Sequence, residues 1–153
     1  MPSSTDRIEK QIELNAPVAR VWRALTDHVQ FGSWFGANFS APFAPGTTSR
    51  ATMKNPKYSH IVVEFFIKEL KPESYFSYEW HPFPMDTSVD YTKETPTLVE
   101  FRFTKSATGT LLTVTESGFD QLPAHRRDEA FRMNTGGWEA QMKNVAKYVD
   151  ANP

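Results

Sequence analysis

The sequence predicts an α+β fold in which an antiparallel sheet curls around one long C-terminal helix. Three observations carry this. A strand and then a helix open the chain in RIEKQIELNAPVARVWRALTD, strand-like runs follow one another through its middle, and the amphipathic GGWEAQMKNVAKYVD closes it. Strands laid consecutively pair antiparallel, because a parallel neighbour needs a long crossover, usually a helix, between each pair. A sheet that grips a helix can leave a lined hollow, so this architecture points to binding something apolar before it points to any reaction.

Residues 1–6 are small and polar and are expected to fray, leaving 7–150 as a single domain. From Arg7 to Leu14 the residues alternate, Ile8, Ile12 and Leu14 against Glu9, Gln11 and Glu13, the period of a half-buried strand. Lys10 falls on the apolar side of that strand. Pro17 suits the first turn of a helix, where its missing amide costs nothing, and Val18, Val21, Trp22 and Leu25 follow at helical spacing. A second short helix is expected through Phe31, Trp34 and Phe35, ending near Gly36.

Pro42, Pro45 and Gly46 then break helical character, and strands follow. Their apolar faces are read as Ala51 and Met53; Val63, Phe65 and Ile67; Phe76, Tyr78 and Trp80; Val99, Phe101 and Phe103; and Leu112 and Val114. The connection Pro82–Pro96 is too long for a tight hairpin and has no period, so it is a loop. Pro123 opens the last segment, where Trp138, Met142, Val145 and Val149 form the stripe that the sheet's apolar face needs. In this reading Trp138 begins the gripping helix, and Gly136 and Gly137 beside it permit a kink or a close contact with the sheet.

Composition narrows the functional classes. At 153 residues the chain suits one domain. No cysteine is present, which excludes disulfides, thiolate zinc sites and a cysteine nucleophile and is compatible with a reducing cytoplasm. No secretory signal and no long uncharged apolar run occur, so a cytoplasmic protein that does not insert into membranes is expected. With 17 basic and 18 acidic residues scattered along the chain, no stripe would recruit a phosphate backbone, and nucleic acid is not an expected partner. Phosphate-binding loops, Rossmann glycines, the GxSxG elbow and the HExxH helix are all missing, so neither a cofactor nor a catalytic residue is assigned. His28, His60, His81 and His125 show no ligand spacing, and no metal is expected.

Aromatic residues make up 14% of the chain, and large rings line both plain cores and small-molecule pockets. The expected lining of a cavity is Met53, Phe65, Phe76, Tyr78, Trp80, Phe101, Glu116, Trp138 and Met142. Glu116 is the suggestive polar member, because alternation from Leu112 and Val114 aims its carboxylate at the concave side, where burial without a partner raises its pKa. Lys10 could approach it and offset the desolvation, leaving Glu116 to orient a polar group on a ligand; the plainer alternative is a strand-end carboxylate that reaches water. The Pro42–Gly46 turn, the Pro82–Pro96 loop and the Trp138 end of the helix are the expected mouth, and motion there would gate access.

The segments NAPVARVWRALTD, WFG, FAPGT, FFIKELKPESYFSYEW, VTESGFD and GGWEAQMKNVAKYVD, in that order, resemble a known family. It is the stand-alone domain related to the C-terminal half of the activator of the ninety-kilodalton heat-shock-protein ATPase, within the START-like helix-grip (SRPBCC) superfamily shared with the birch-pollen allergen and aromatic polyketide cyclases. The resemblance spans roughly Arg7 to Asp150. It implies a seven-stranded antiparallel sheet folded over a C-terminal helix, two short helices after the first strand, and an interior cavity. The chain is too short to hold as well the separate N-terminal domain of the eukaryotic co-chaperone, to which much of the chaperone stimulation is credited. Small members are described as ligand binders or stress-response proteins, and the family carries over no catalytic motif. The leading expectation is therefore binding of a small hydrophobic, aromatic or lipid-like molecule. The alternatives are a module that contacts a heat-shock chaperone and a cyclase-like enzyme using Glu116, Tyr78 or His81 as acid or base.

Overall fold

The structure is a computed structural model that describes residues 6–82, 84–86 and 88–153. The fraying expected for the first residues lies outside them except at Asp6, whose backbone carbonyl accepts from the amides of Gly118 and Phe119. Within the expected loop, Phe83 and Thr87 lie outside the described residues.

Seven strands form one antiparallel sheet: β1 (Arg7–Leu14), β2 (Ala37–Phe39), β3 (Thr48–Met53), β4 (Val62–Lys71), β5 (Tyr75–Trp80), β6 (Thr97–Lys105) and β7 (Thr110–Ser117). Their order is β1-β7-β6-β5-β4-β3-β2, so the first and last strands are neighbours and the middle of the chain is a meander. A register shift between Ile67 and Glu69 interrupts the pairing of β4 with β5; such an irregularity adds bend and twist to a sheet. Helices α1 (Val18–Thr26) and α2 (His28–Phe35) follow β1, and α3 (Ala124–Ala151) runs 28 residues to the end of the fold.

Local chemistry explains the two short helices. Extended Pro17 precedes α1, which buries Val21, Ala24 and Leu25. The Asp27 side chain then accepts from the amides of Val29 and Gln30, satisfying donors that a helix start leaves open. Gly36, at φ 88°, closes α2 in the left-handed conformation that glycine adopts without strain. Trp34 donates its indole N–H to the Ala24 carbonyl at 2.8 Å, locking α2 onto α1. Buried Arg20 donates to the Asn152 carbonyl at 2.7 Å and to Gln30 Oε1 at 2.9 Å, fastening both helices to the end of α3.

Helix α3 begins at Ala124 and not at Trp138, so Gly136 and Gly137 lie inside it. The stretch before the glycines buries only Ala130 fully, which is why no apolar stripe announces it. Charge holds it instead. Arg126 donates through Nε to both carboxylate oxygens of Glu94 at 2.8 Å and through Nη2 to the Pro82 carbonyl at 2.8 Å, and its guanidinium lies 4.7 Å from the Tyr91 ring centroid. These contacts also pin the long loop, whose described residues include a short helical turn at Tyr91–Lys93.

Neither glycine packs closely: a Cβ built on Gly136 or Gly137 meets nothing within 4 Å, and the helix runs through both. The expected close sheet contact is therefore absent. Because glycine inside a helix costs about 1 kcal/mol relative to alanine, Gly136→Ala is expected to stabilise the fold by about 0.5 to 1 kcal/mol. Thermal unfolding checks this, and a lower Tm for the variant would contradict it.

Candidate functional site

The concave face is set by register. Ile8, Glu116, Val99, Tyr78 and Ile67 pair in one row across β1, β7, β6, β5 and β4, and Phe76, Phe101 and Val114 pair in the next. Glu116 is thus the one carboxylate in an apolar row. Its side chain is completely buried, so the strand-end alternative does not hold. Lys10 does not reach it; its ammonium lies 3.9 Å from Glu139 on α3.

Four neutral donors surround the carboxylate. Asn134 Nδ2 and the Trp138 indole donate to Oε1 at 2.9 and 2.8 Å, and the Trp80 indole and the Thr97 hydroxyl donate to Oε2 at 2.7 and 2.6 Å. Burial pushes the Glu116 pKa up, and the bonds from Thr97, Trp138, Trp80 and Asn134 hold the rise in check. Each oxygen already accepts two bonds, an arrangement that suits the ionised form. Glu116 therefore joins β5, β6, β7 and α3 at one point.

The other expected lining residues divide into two groups. Phe65, Phe76, Tyr78 and Phe101 are fully buried and fill the middle of the concavity. Phe65 stacks on Tyr78 with centroids 4.1 Å apart, and Phe31 of α2 stands edge-on to Phe65 at 5.6 Å. Phe43, from the turn after β2, stacks on Phe76 at 5.5 Å. Met142 is buried on α3, and half-buried Met53 packs at the β3 side of the same core. These rings interlock as a core does.

Free space remains at one end. A cleft of about 90 Å³ lies between α2, the end of β5 and α3, lined by Phe35, Trp80, Asn134, Gly137, Trp138 and Gln141. Trp80 and Trp138 are the two expected residues that reach it. Phe35, Asn134 and Gln141 lie outside the expected lining, because their role depends on how α2 meets α3, which no spacing in the chain reveals. Neither the Pro42–Gly46 turn nor a described residue of the Pro82–Pro96 loop lines this cleft. The phenylalanine ring of Phe35 lies 6.1 Å from Trp80, and Trp80 lies 5.7 Å from Trp138, so three rings wall the opening. Gln141 Nε2 donates to the Phe35 carbonyl at 3.1 Å and thereby ties α3 to the end of α2.

Two further titratable groups do not join this cluster as donors or acceptors. The Tyr78 hydroxyl is buried without a hydrogen-bond partner among the described residues; burial, with the Glu116 charge adding to it, lifts its pKa well above the ordinary tyrosine value. His81 follows Trp80 and lies against Phe66, 5.8 Å between rings, in a separate groove with Val62, Val89 and Tyr91. Burial lowers its pKa, with the Glu94 charge opposing.

Comparison with known proteins decides the family. The model of the family described as Activator of Hsp90 ATPase homolog 1-like protein matches residues 15–150. The chain belongs to this family. No curated protein is similar enough to serve as a relative. Among solved structures, the fold is similar to that of protein MLL2253 from Mesorhizobium loti, with TM-score 0.76 and 20% identity, covering 96% of this chain and 98% of that one. Protein Ms6760 from Mycobacterium smegmatis matches with TM-score 0.74 and 18% identity over 97% and 94% of the two chains. The Aha1 dimer from Colwellia psychrerythraea matches with TM-score 0.71 and 14% identity over 94% and 95%. At these identities the likeness concerns the fold. In this family member, among the described residues, no helix is long and apolar enough to cross a membrane and no group of three or more histidine or acidic side chains converges to hold a metal.

Proposed function

We propose that this protein is a non-enzymatic binding module that takes a compact apolar or aromatic group into the cleft between α2 and α3. The supporting observation is a ring-walled opening of about 90 Å³ at one end of a concavity whose middle is occupied by interlocking rings, beside a helical glycine that no packing contact requires. Burial of apolar surface supplies the driving force, and the two indoles anchored on Glu116 supply a rigid wall. The volume suits a few heavy atoms of a guest; a lipid-like ligand would enter end-on. Acid–base chemistry has weaker support, since Glu116 spends both oxygens on protein donors and His81 lies in another groove. Docking on a heat-shock chaperone is a second reading, favoured by the family match. Stimulation of a chaperone ATPase by this chain would establish it.

Titration with toluene, followed through the side-chain indole N–H resonances, tests the leading reading. Trp80 and Trp138 are expected to shift and Trp22 and Trp34 to stay. Gly137→Leu, which grows into free space, is expected to abolish the shifts while leaving the protein folded. Resonances that do not move, or that move equally in the variant, would remove the cleft from consideration.

A further inference from the structure

The lining of the cleft has an electrostatic sign. Its side chains are three aromatic rings and two amides, with no basic residue among them. Both amides turn their nitrogens into the protein, Asn134 to Glu116 and Gln141 to the Phe35 carbonyl. Behind the rings sits the Glu116 carboxylate, buried and bonded by no cationic side chain among the described residues; the nearby candidate, Lys10, is spent on Glu139. An indole that donates its N–H to a carboxylate gains electron density over its ring, and ring faces of this kind attract cations. Trp80 and Trp138 both donate in this way to the same carboxylate.

From this combination we infer that the cleft accepts a compact organic cation, a methylated ammonium group. The inference rests on the reading of the cleft as a ligand site and names the chemistry of its ligand. Anions are disfavoured, because they would meet electron-rich rings and a buried carboxylate with no lining cation to pair with. A hydrated inorganic cation is disfavoured as well, since the lining cannot replace its water shell. A methylated ammonium spreads its charge over an apolar surface and suits both features of the wall.

Choline and its neutral carbon isostere 3,3-dimethyl-1-butanol differ in charge and hardly in shape. Titrated separately against the wild-type protein and followed through the Trp80 and Trp138 indole resonances, choline is expected to bind at least about fivefold more tightly. Gly137→Leu is expected to remove both responses. Equal affinity, or preference for the isostere, overturns the cation inference and leaves the apolar-group reading standing. Absence of any response to choline, isostere and toluene overturns both. The same head group occurs free and on lipids: displacement of choline by phosphatidylcholine vesicles would identify a lipid source, and its retention a free small molecule, either outcome upholding the chemistry.

Discussion

Glu116→Leu is expected to destabilise the protein by roughly 4 kcal/mol, because the change strips the acceptor from four donors at once. Exchanging a whole buried polar cluster for hydrophobic side chains can be neutral, but here the partners remain. The indoles of Trp80 and Trp138 and the hydroxyl of Thr97 are in buried side chains that donate to this one carboxylate, and each unpaired donor carries its own desolvation cost. Glu116→Gln should fall between the wild type and the leucine variant, at about 2 kcal/mol, since its carbonyl still accepts two bonds and the Thr97 hydroxyl can rotate to accept from the amide while one indole is stranded. Urea unfolding at neutral pH measures both. A leucine variant as stable as the wild type would mean that the carboxylate does not hold β5, β6, β7 and α3 together.

The same site sets a pH dependence whose sign follows from burial. Folding raises the Glu116 pKa above its ordinary value of 4.5, so its contribution to stability is fully present below about that value and declines as pH rises through the folded value. Subtracting the stability of Glu116→Gln from that of the wild type cancels the titration of the other carboxylates. The remaining difference is expected to be larger at the acid end of that window than at neutrality. A difference that grows with pH would show that the four donors outweigh desolvation.

Much of the fold was legible because burial imposes periods. Val63, Phe65 and Ile67 on β4, or Val99, Phe101 and Phe103 on β6, alternate because one face of each strand meets the core, and Trp138, Met142, Val145 and Val149 recur because one stripe of α3 does. What escaped lacks a period. Strand β2 is three residues long and makes its case only by pairing with Ala51–Met53. The first half of α3 is held by Arg126 on Glu94, a contact between segments remote in the chain, and by Arg127 on Asp120 in the turn just before the helix, and neither ion pair leaves an apolar period. At the site, alternation pointed Glu116 inward correctly, but its donors come from β5, β6 and α3 and depend on registers that no single segment encodes. The ring cluster was legible as rings and not as filled space, since whether side chains interlock or leave room is a property of their packing together. Phe31 and Phe43, read as helix and turn residues, are what close the middle of the concavity.

Gly32→Ala should cost about 2 kcal/mol or more, opposite in sign to the gain expected at Gly136, although both glycines lie inside helices. Helix propensity alone would predict the same modest gain at each. The difference lies in what a methyl group meets. After α2, Gly36 turns the chain back at once into β2, which carries the Ala37 carbonyl oxygen against Gly32, inside van der Waals contact of where a Cβ would stand. That oxygen belongs to the backbone of a paired strand, so it cannot swing aside as a flexible side chain would. Relief requires α2 to lift from β2, and Phe35, one wall of the cleft, lifts with it. Phe31, which touches Trp34, Phe39, Phe43 and Phe65, would lose contacts in the same movement. The expected result is a lower urea midpoint together with shifted Trp80 and Trp138 indole resonances in the folded protein. Alanine at position 32 with wild-type stability and unmoved resonances would show that α2 has slack against β2, and that the cleft wall is less firmly placed than its contacts imply.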